Sequence, residues 1–211
     1  SLLRSKRLRT GYLTLVVVMT LQAYLQNRMM SDEIGESAMP GIFLLLAVMF
    51  SSMMLGQWIF GIEGNFFHGL MTKPVSVYGM LERKFLFFLL LDSITAVLLI
   101  PGIFLGYWTT MAWLSTLLLG AGSNVLLLPT CLFSKRIDLF SSAFFNYQGA
   151  SLSVNVYGFV ILIPIAIYLC IIFFIENPLL IDGITAILGL IMLSLSRPII
   201  RRVANRFMAI K

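Results

Sequence analysis

Long apolar runs alternate with short polar breaks along the whole chain. A helix needs about 20 mostly apolar residues to cross a hydrocarbon core. Six runs approach that length, over residues 11–27, 40–62, 85–108, 111–133, 154–175 and 179–196. Pro101 falls in the third run and Pro164 in the fifth. A kink is expected at Pro101. Both runs stay helical more readily in lipid than in water, because neighbouring helices satisfy the freed carbonyls. The expected fold is all-α: one polytopic domain, 1–211, of six transmembrane helices.

The polar breaks carry the charge, and they carry it asymmetrically. With the N-terminus inside, the inner segments hold Arg4, Lys6, Arg7, Arg9, Lys73, Arg83, Lys84, Lys135, Arg136, Arg197, Arg201, Arg202, Arg206 and Lys211. Of the 15 Lys and Arg residues, that leaves Arg28 alone on the outside. The outer segments hold Asp32, Glu33, Glu36, Glu176 and Asp182 instead. This bias sets the orientation, with both termini cytoplasmic. The outer breaks are short: "MMSDEIGESAMP" is the longest, and the turn at 107–110 is minimal. The inner connections, 63–84 and 134–153, are longer. Partners are therefore expected inside the cell or within the bilayer.

Composition agrees with the pattern. The 211 residues are 59% hydrophobic and 11% charged, against about 25% charged in a soluble domain. One soluble core of this size cannot hide that surplus, so the main solvent is lipid. The net charge of +6 comes from basic residues at the ends of apolar runs, which does not indicate nucleic acid. Phe144, Phe145 and Tyr147 beside Lys135 and Arg136 read as an interfacial aromatic belt near anionic headgroups. The opening "SLLRSKRLR" lacks the apolar core and cleavage site of a signal peptide; without a Met it reads as a processed or truncated start.

Little here suggests an enzyme, a metal or a cofactor. Cys131 and Cys170 lie in apolar runs without pairing or metal spacing and read as small core residues. His68 is the single histidine and has no nucleophile beside it. Ser123, in "GAGSN", has no histidine in any run to activate it.

Two polar features are more informative. In "GIEGNFFHGLMTKPVSVYGMLERK", Asn65 is placed to cap a helix that sets Phe66, Phe67, Leu70 and Met71 on one face, and Pro74 ends it. Ser76 then caps a second short helix with Val77, Tyr78, Met80 and Leu81, before Glu82, Arg83 and Lys84. Such a pair lies on the membrane face, either as a docking element over residues 63–84 or as a plain anchor. The second feature is Asp92, inside the third run. An ionisable group there marks a substrate path by default, or it pairs with Asn124 or Ser93. Asn124 itself sits with Gly120, Gly122 and Ser123, a small-residue patch suited to close helix packing. The tail, residues 197–211, reads as a basic amphipathic surface helix.

"LMTKPVS" at 70–76, followed by Lys84, resembles the loop after the second span of ABC-2-type permeases. A closer resemblance covers nearly the whole chain. "RSKRLRT", "GQWIFGIEGNFFHGLMTKP", "SKRIDLFSSAFFNYQGAS" and "ILGLIMLSLSRPIIRRVANRFMAIK" look like an uncharacterised family of Bacteroidetes membrane proteins grouped with those permeases. Its members are longer, with these motifs in their C-terminal half, which implies a half-length relative or a portion of a longer chain. Ile62 and His68 stand where that family has Trp and Asp.

The resemblance implies a bacterial inner-membrane exporter subunit with a short coupling helix between spans two and three, seated in a groove of an ATPase subunit. Glu63, Asn65, Phe66, Phe67, His68, Leu70, Lys73, Pro74 and Tyr78 would form that contact. Phe66 and Phe67 would act as aromatic anchors, with Glu63 and Lys73 setting register. Asp92 and Asn124 would line a substrate path. The chain has no GxxxxGK[ST] sequence, so ATP hydrolysis is expected on another polypeptide. A second permease half or a second copy, and membrane lipids, complete the expected partners. The rival expectation is a non-catalytic scaffold or accessory subunit of an envelope complex.

Overall fold

A computed structural model describes residues 6–31, 41–50, 52, 76–132 and 159–210. Among these, all regular structure is helical. We number the helices α1 (Lys6–Ser31), α2 (Gly41–Phe50), α3 (Val77–Leu99), α4 (Pro101–Phe104), α5 (Thr110–Ser123), α6 (Ile163–Phe174), α7 (Pro178–Ser194) and α8 (Ser196–Ile210). A 3-10 stretch, Asn124–Leu132, follows α5, and another, Phe159–Leu162, precedes α6. Residues 63–75 and 134–153, expected as inner connections, lie outside the described residues.

Local chemistry explains the helix starts. Gly79 N–H donates to Ser76 Oγ at 3.1 Å, capping α3. Ala112 N–H donates to Thr109 Oγ1 at 3.0 Å, capping α5. Leu179 N–H donates to Asn177 Oδ1 at 3.0 Å, and Pro178 occupies the first turn of α7, where its missing N–H costs nothing. Between α4 and α5, Gly106 adopts a φ of 75°, and its N–H returns to Ile103 O at 3.2 Å. This left-handed cap needs glycine, and it makes the tight turn between α4 and α5 possible.

Among the described residues, two helices, Val77–Phe104 (α3 with α4) and Thr110–Pro129, are long and apolar enough to cross a membrane. The bent pair α7 and α8, at 42°, makes up to three if it counts as one span. The helix expected as the third span differs from expectation at its start. It begins at Val77 rather than Phe85, so Tyr78 to Lys84 form its first turns and not a separate surface helix. Leu81, Lys84, Phe85 and Phe88 continue one buried stripe, and no breaker interrupts them. Pro164, expected inside a helix over 154–175, sits in the first turn of α6, where its missing N–H costs nothing.

The expected break at Pro101 is present, and α1 stabilises it. Tyr24 Oη donates to Leu98 O at 3.0 Å and accepts from Gly102 N–H at 3.2 Å. Those two backbone groups are i→i−4 ladder partners; the hydroxyl is inserted between them. The Trp108 ring lies directly over Gly102, where a Cβ would meet it at 2.0 Å. Tyr24→Phe should remove both bridging bonds to the break, one exposed and one part-buried, costing about 0.5–1.5 kcal/mol for each. Thermal unfolding in detergent would register this; an unchanged melting temperature would refute the role of the hydroxyl.

Helix directions follow from which residues meet. Asp92 faces Asn124, and Trp113 Nε1 donates to Ala96 O at 2.9 Å, so α3 and α5 run antiparallel. Ser115 meets Asp182 and Gly122 meets Gly189, so α5 and α7 run parallel. The core forms two groups. One, toward the basic end, contains Leu81, Phe85, Phe88, Leu128, Ile200 and Phe207. The other gathers Leu44, Val48, Leu99 and Trp108.

Candidate functional site

Asp92 falls on the buried stripe of α3, between Phe88 and Thr95, and therefore faces helices rather than lipid. It is 0% exposed, as is Asn124, which ends α5. Asn124 Nδ2 donates to Asp92 Oδ2. Of the two partners the sequence offered, geometry selects Asn124, because Ser93 Oγ donates to Leu89 O at 2.8 Å on its own helix. Ser52 lies within hydrogen-bond reach of the same carboxyl, and its Oγ also bonds Met49 O at 3.0 Å. Thr95 Oγ1 donates to Leu91 O at 3.2 Å and Ser123 Oγ donates to Gly120 O. Asp92 Oδ1 and Asn124 Oδ1 are left without a donor.

The glycines near Asn124 bring backbones together. A Cβ on Gly120 would sit 2.7 Å from Val48 Cγ1, and one on Gly122 would sit 2.7 Å from Gly189 O. The small-residue patch is thus a packing surface that also fixes where Asn124 stands. Sequence reasoning missed Gly189, the other half of this contact.

A second polar group lies between α5 and α7. Ser115 Oγ donates to Asp182 Oδ1 at 3.3 Å, and Asp182 is buried. The sequence assigned Asp182 to the outer surface; instead it begins the inward face of α7, because the Asn177 cap starts that helix before it. Tyr168, on α6, is buried against Gly41 of α2, where a Cβ would meet its hydroxyl at 1.7 Å. At the same end Tyr24, Tyr107 and Trp108 form an aromatic cluster, with Tyr24 and Trp108 centroids 5.1 Å apart. The adjacent Tyr107 and Trp108 beside the minimal turn were its sequence signal.

Of the expected docking residues, Glu63, Asn65, Phe66, Phe67, His68, Leu70, Lys73 and Pro74 lie outside the described residues. Tyr78 is half-buried and packs on the chain's own core. The tail also departs from expectation. Ile200, Val203, Ala204 and Phe207 of α8 are buried in the core, while Arg201, Arg202 and Arg206 are exposed. Its apolar face covers α3 and the 3-10 stretch rather than lipid. Cys170 is exposed on α6, not a core residue; the buried face of that helix is taken by Pro164 and Tyr168. Among the described residues, no three His, Cys, Asp or Glu side chains gather in a way that would hold a metal.

Residues 2–211 match a family described as a family of unknown function, DUF5687. The chain belongs to this family. No curated protein and no solved structure matches it. For DUF5687, then, the buried Asp92–Asn124 pair and the helices that frame it are the most specific chemical feature this member offers.

Proposed function

We propose that this DUF5687 protein is a permease subunit of an ABC-type exporter in a bacterial inner membrane, driven by separate ATPase subunits. It crosses the bilayer six times with both ends inside, and pairs with a second permease half or a second copy. The feature that carries the reading is the long helix Val77–Phe104, capped by Ser76, which follows residues 63–75 directly in the sequence. A partner gripping Phe66 and Phe67 pushes on a rigid rod. Asp92 stands about 22 Å along it, at about 1.5 Å per residue, so movement at the inner face reaches the buried pair directly. The antiparallel α3 and α5 and parallel α5 and α7 are the directions that alternating spans require. The exposed arginines of α8 lie on the side expected to face the cytoplasm.

Phe66→Asp with Phe67→Asp should abolish co-purification of an ATPase chain in mild detergent while the protein still inserts. Capture that survives both charges would refute the coupling contact. The scaffold reading has one observation in its favour. Phe173, Phe174, Leu179 and Leu180 form an exposed apolar edge across α6 and α7, which suits a flanking membrane protein as well as lipid. That reading expects membrane proteins in the same purification and no ATPase.

A further inference from the structure

The Asp92 pair holds more acceptors than donors. Among the described residues Asp92 Oδ1 and Asn124 Oδ1 have no partner, and both residues are fully buried. The hydroxyl protons of Ser93 and Ser123 are directed to backbone carbonyls of their own helices, and Ser52, which bonds Met49 O, also reaches the Asp92 carboxyl. No amide rotation repairs this. Turning Asn124 over would place its oxygen against Asp92 Oδ2 and lose the bond that exists.

Nor does a charged neighbour compensate. No ion pair to Asp92 exists among the described residues. Helix α2 and the Thr110–Leu128 segment contain no acidic, basic or histidine side chain. On α3 itself, Glu82, Arg83 and Lys84 lie about two turns or more toward the inner end. Helix α1 brings Tyr12 to the inner core and Tyr24 to the break at Pro101. Helix α8 turns Arg201, Arg202 and Arg206 outward. A carboxylate enclosed by helices without positive charge costs several kcal/mol, and each orphan atom is an oxygen acceptor. What is missing is a small cation.

The geometry points to a buried site for a small monovalent cation, a proton or a sodium ion, built from Asp92 and Asn124 with Ser52 at its edge. A divalent ion fits poorly, since calcium takes six to eight oxygens and magnesium keeps much of its water. The site rests on reading Val77–Phe104 as a span. It deepens the permease reading by supplying an ion whose binding changes as α3 moves against α5. It does not depend on the ATPase contact: the coupling experiment can fail while this site stands, and the reverse.

Dicyclohexylcarbodiimide tests it on the whole protein in phospholipid vesicles. The reagent enters lipid and reacts with a carboxyl that carries its proton. The carboxyl oxygen bonds to the carbodiimide carbon, the proton passes to nitrogen, and rearrangement leaves a stable N-acylurea. Mass spectrometry of the peptide containing Asp92 reads the product, and Asp92→Asn must abolish it. Labelling of Asp92 should fall at least tenfold across a rising pH series, or on adding sodium at fixed pH with potassium as control. Dependence on pH alone identifies a proton site, and protection by sodium identifies a sodium site. No label at Asp92, or a label indifferent to both, overturns the proposal.

Discussion

Gly189→Ala is expected to prevent normal accumulation of the protein in the membrane, although it adds a single methyl group. A Cβ at this position would lie 2.4 Å from Leu118 C, 2.5 Å from Leu119 N and 2.6 Å from Leu118 O. All three are backbone atoms of α5, so no side-chain rotation relieves the clash. The two helices have to move apart. Association of helices in lipid depends on van der Waals packing and interhelical hydrogen bonds, with no hydrophobic drive to replace them. Separation would weaken the Gly122–Gly189 contact and lengthen the Ser115–Asp182 bond, already at 3.3 Å. Overpacking usually costs about 1–3 kcal/mol, and a backbone clash belongs at or above the upper end. The helix propensity of Ala returns at most about 1 kcal/mol. Gly183→Ala is the matched control on the same helix: nothing lies within 4 Å of its Cβ, and the residue is exposed. It should be neutral or slightly stabilising. Membrane yield and the melting temperature in detergent should separate the two variants by several degrees; equal behaviour would mean that α5 and α7 do not meet as described.

Much of this architecture is readable in the sequence, and what is not has identifiable causes. Apolar runs ending near Trp108 and starting near Met111 locate the break between two spans, because the composition changes there. The start of the helix Val77–Leu99 is harder. Glu82, Arg83 and Lys84 look like a surface boundary, yet a capped helix passes straight through them, and Lys84 is buried. Charge within a run of three says little about which face each residue takes. Asp92 is conspicuous because an acid in an apolar run costs free energy, and Asn124 was already a named partner. By contrast Gly189 gives no signal of its own. Its importance comes from Leu118, some seventy positions earlier, and no local pattern encodes that approach. The tail shows a third kind of ambiguity. Spacing identifies its apolar face correctly, but an apolar stripe fits a protein core as well as a bilayer. The 42° bend after Leu195 is what turns that stripe back onto α3.

Asn124→Leu should be the costliest substitution in the buried pair, and a second substitution should reverse most of its effect. Asn124 Nδ2 donates to Asp92 Oδ2 and is the stronger of the two side-chain partners of that carboxyl, Ser52 being the other. Removing it leaves the enclosed carboxyl with Ser52 alone beside it. Breaking a buried polar pair from one side costs about 3–5 kcal/mol when a charge is stranded. Asp92→Leu strands an amide instead, which is neutral, and should cost about 1–3 kcal/mol. With both residues replaced by Leu, the helices meet through apolar side chains of similar volume. Buried pairs replaced in this way are often no less stable than the parent. The expected order of melting temperatures is therefore parent and double variant together, then Asp92→Leu, then Asn124→Leu lowest. Two sites that act independently would instead give additive losses, and the double variant would be the least stable of the four. That outcome would show that Asp92 and Asn124 are not one unit, and the cation site built from them would lose its foundation. Recovery of stability together with loss of carbodiimide labelling would separate the two roles, showing a pair that packs replaceably but binds its cation only as Asp and Asn.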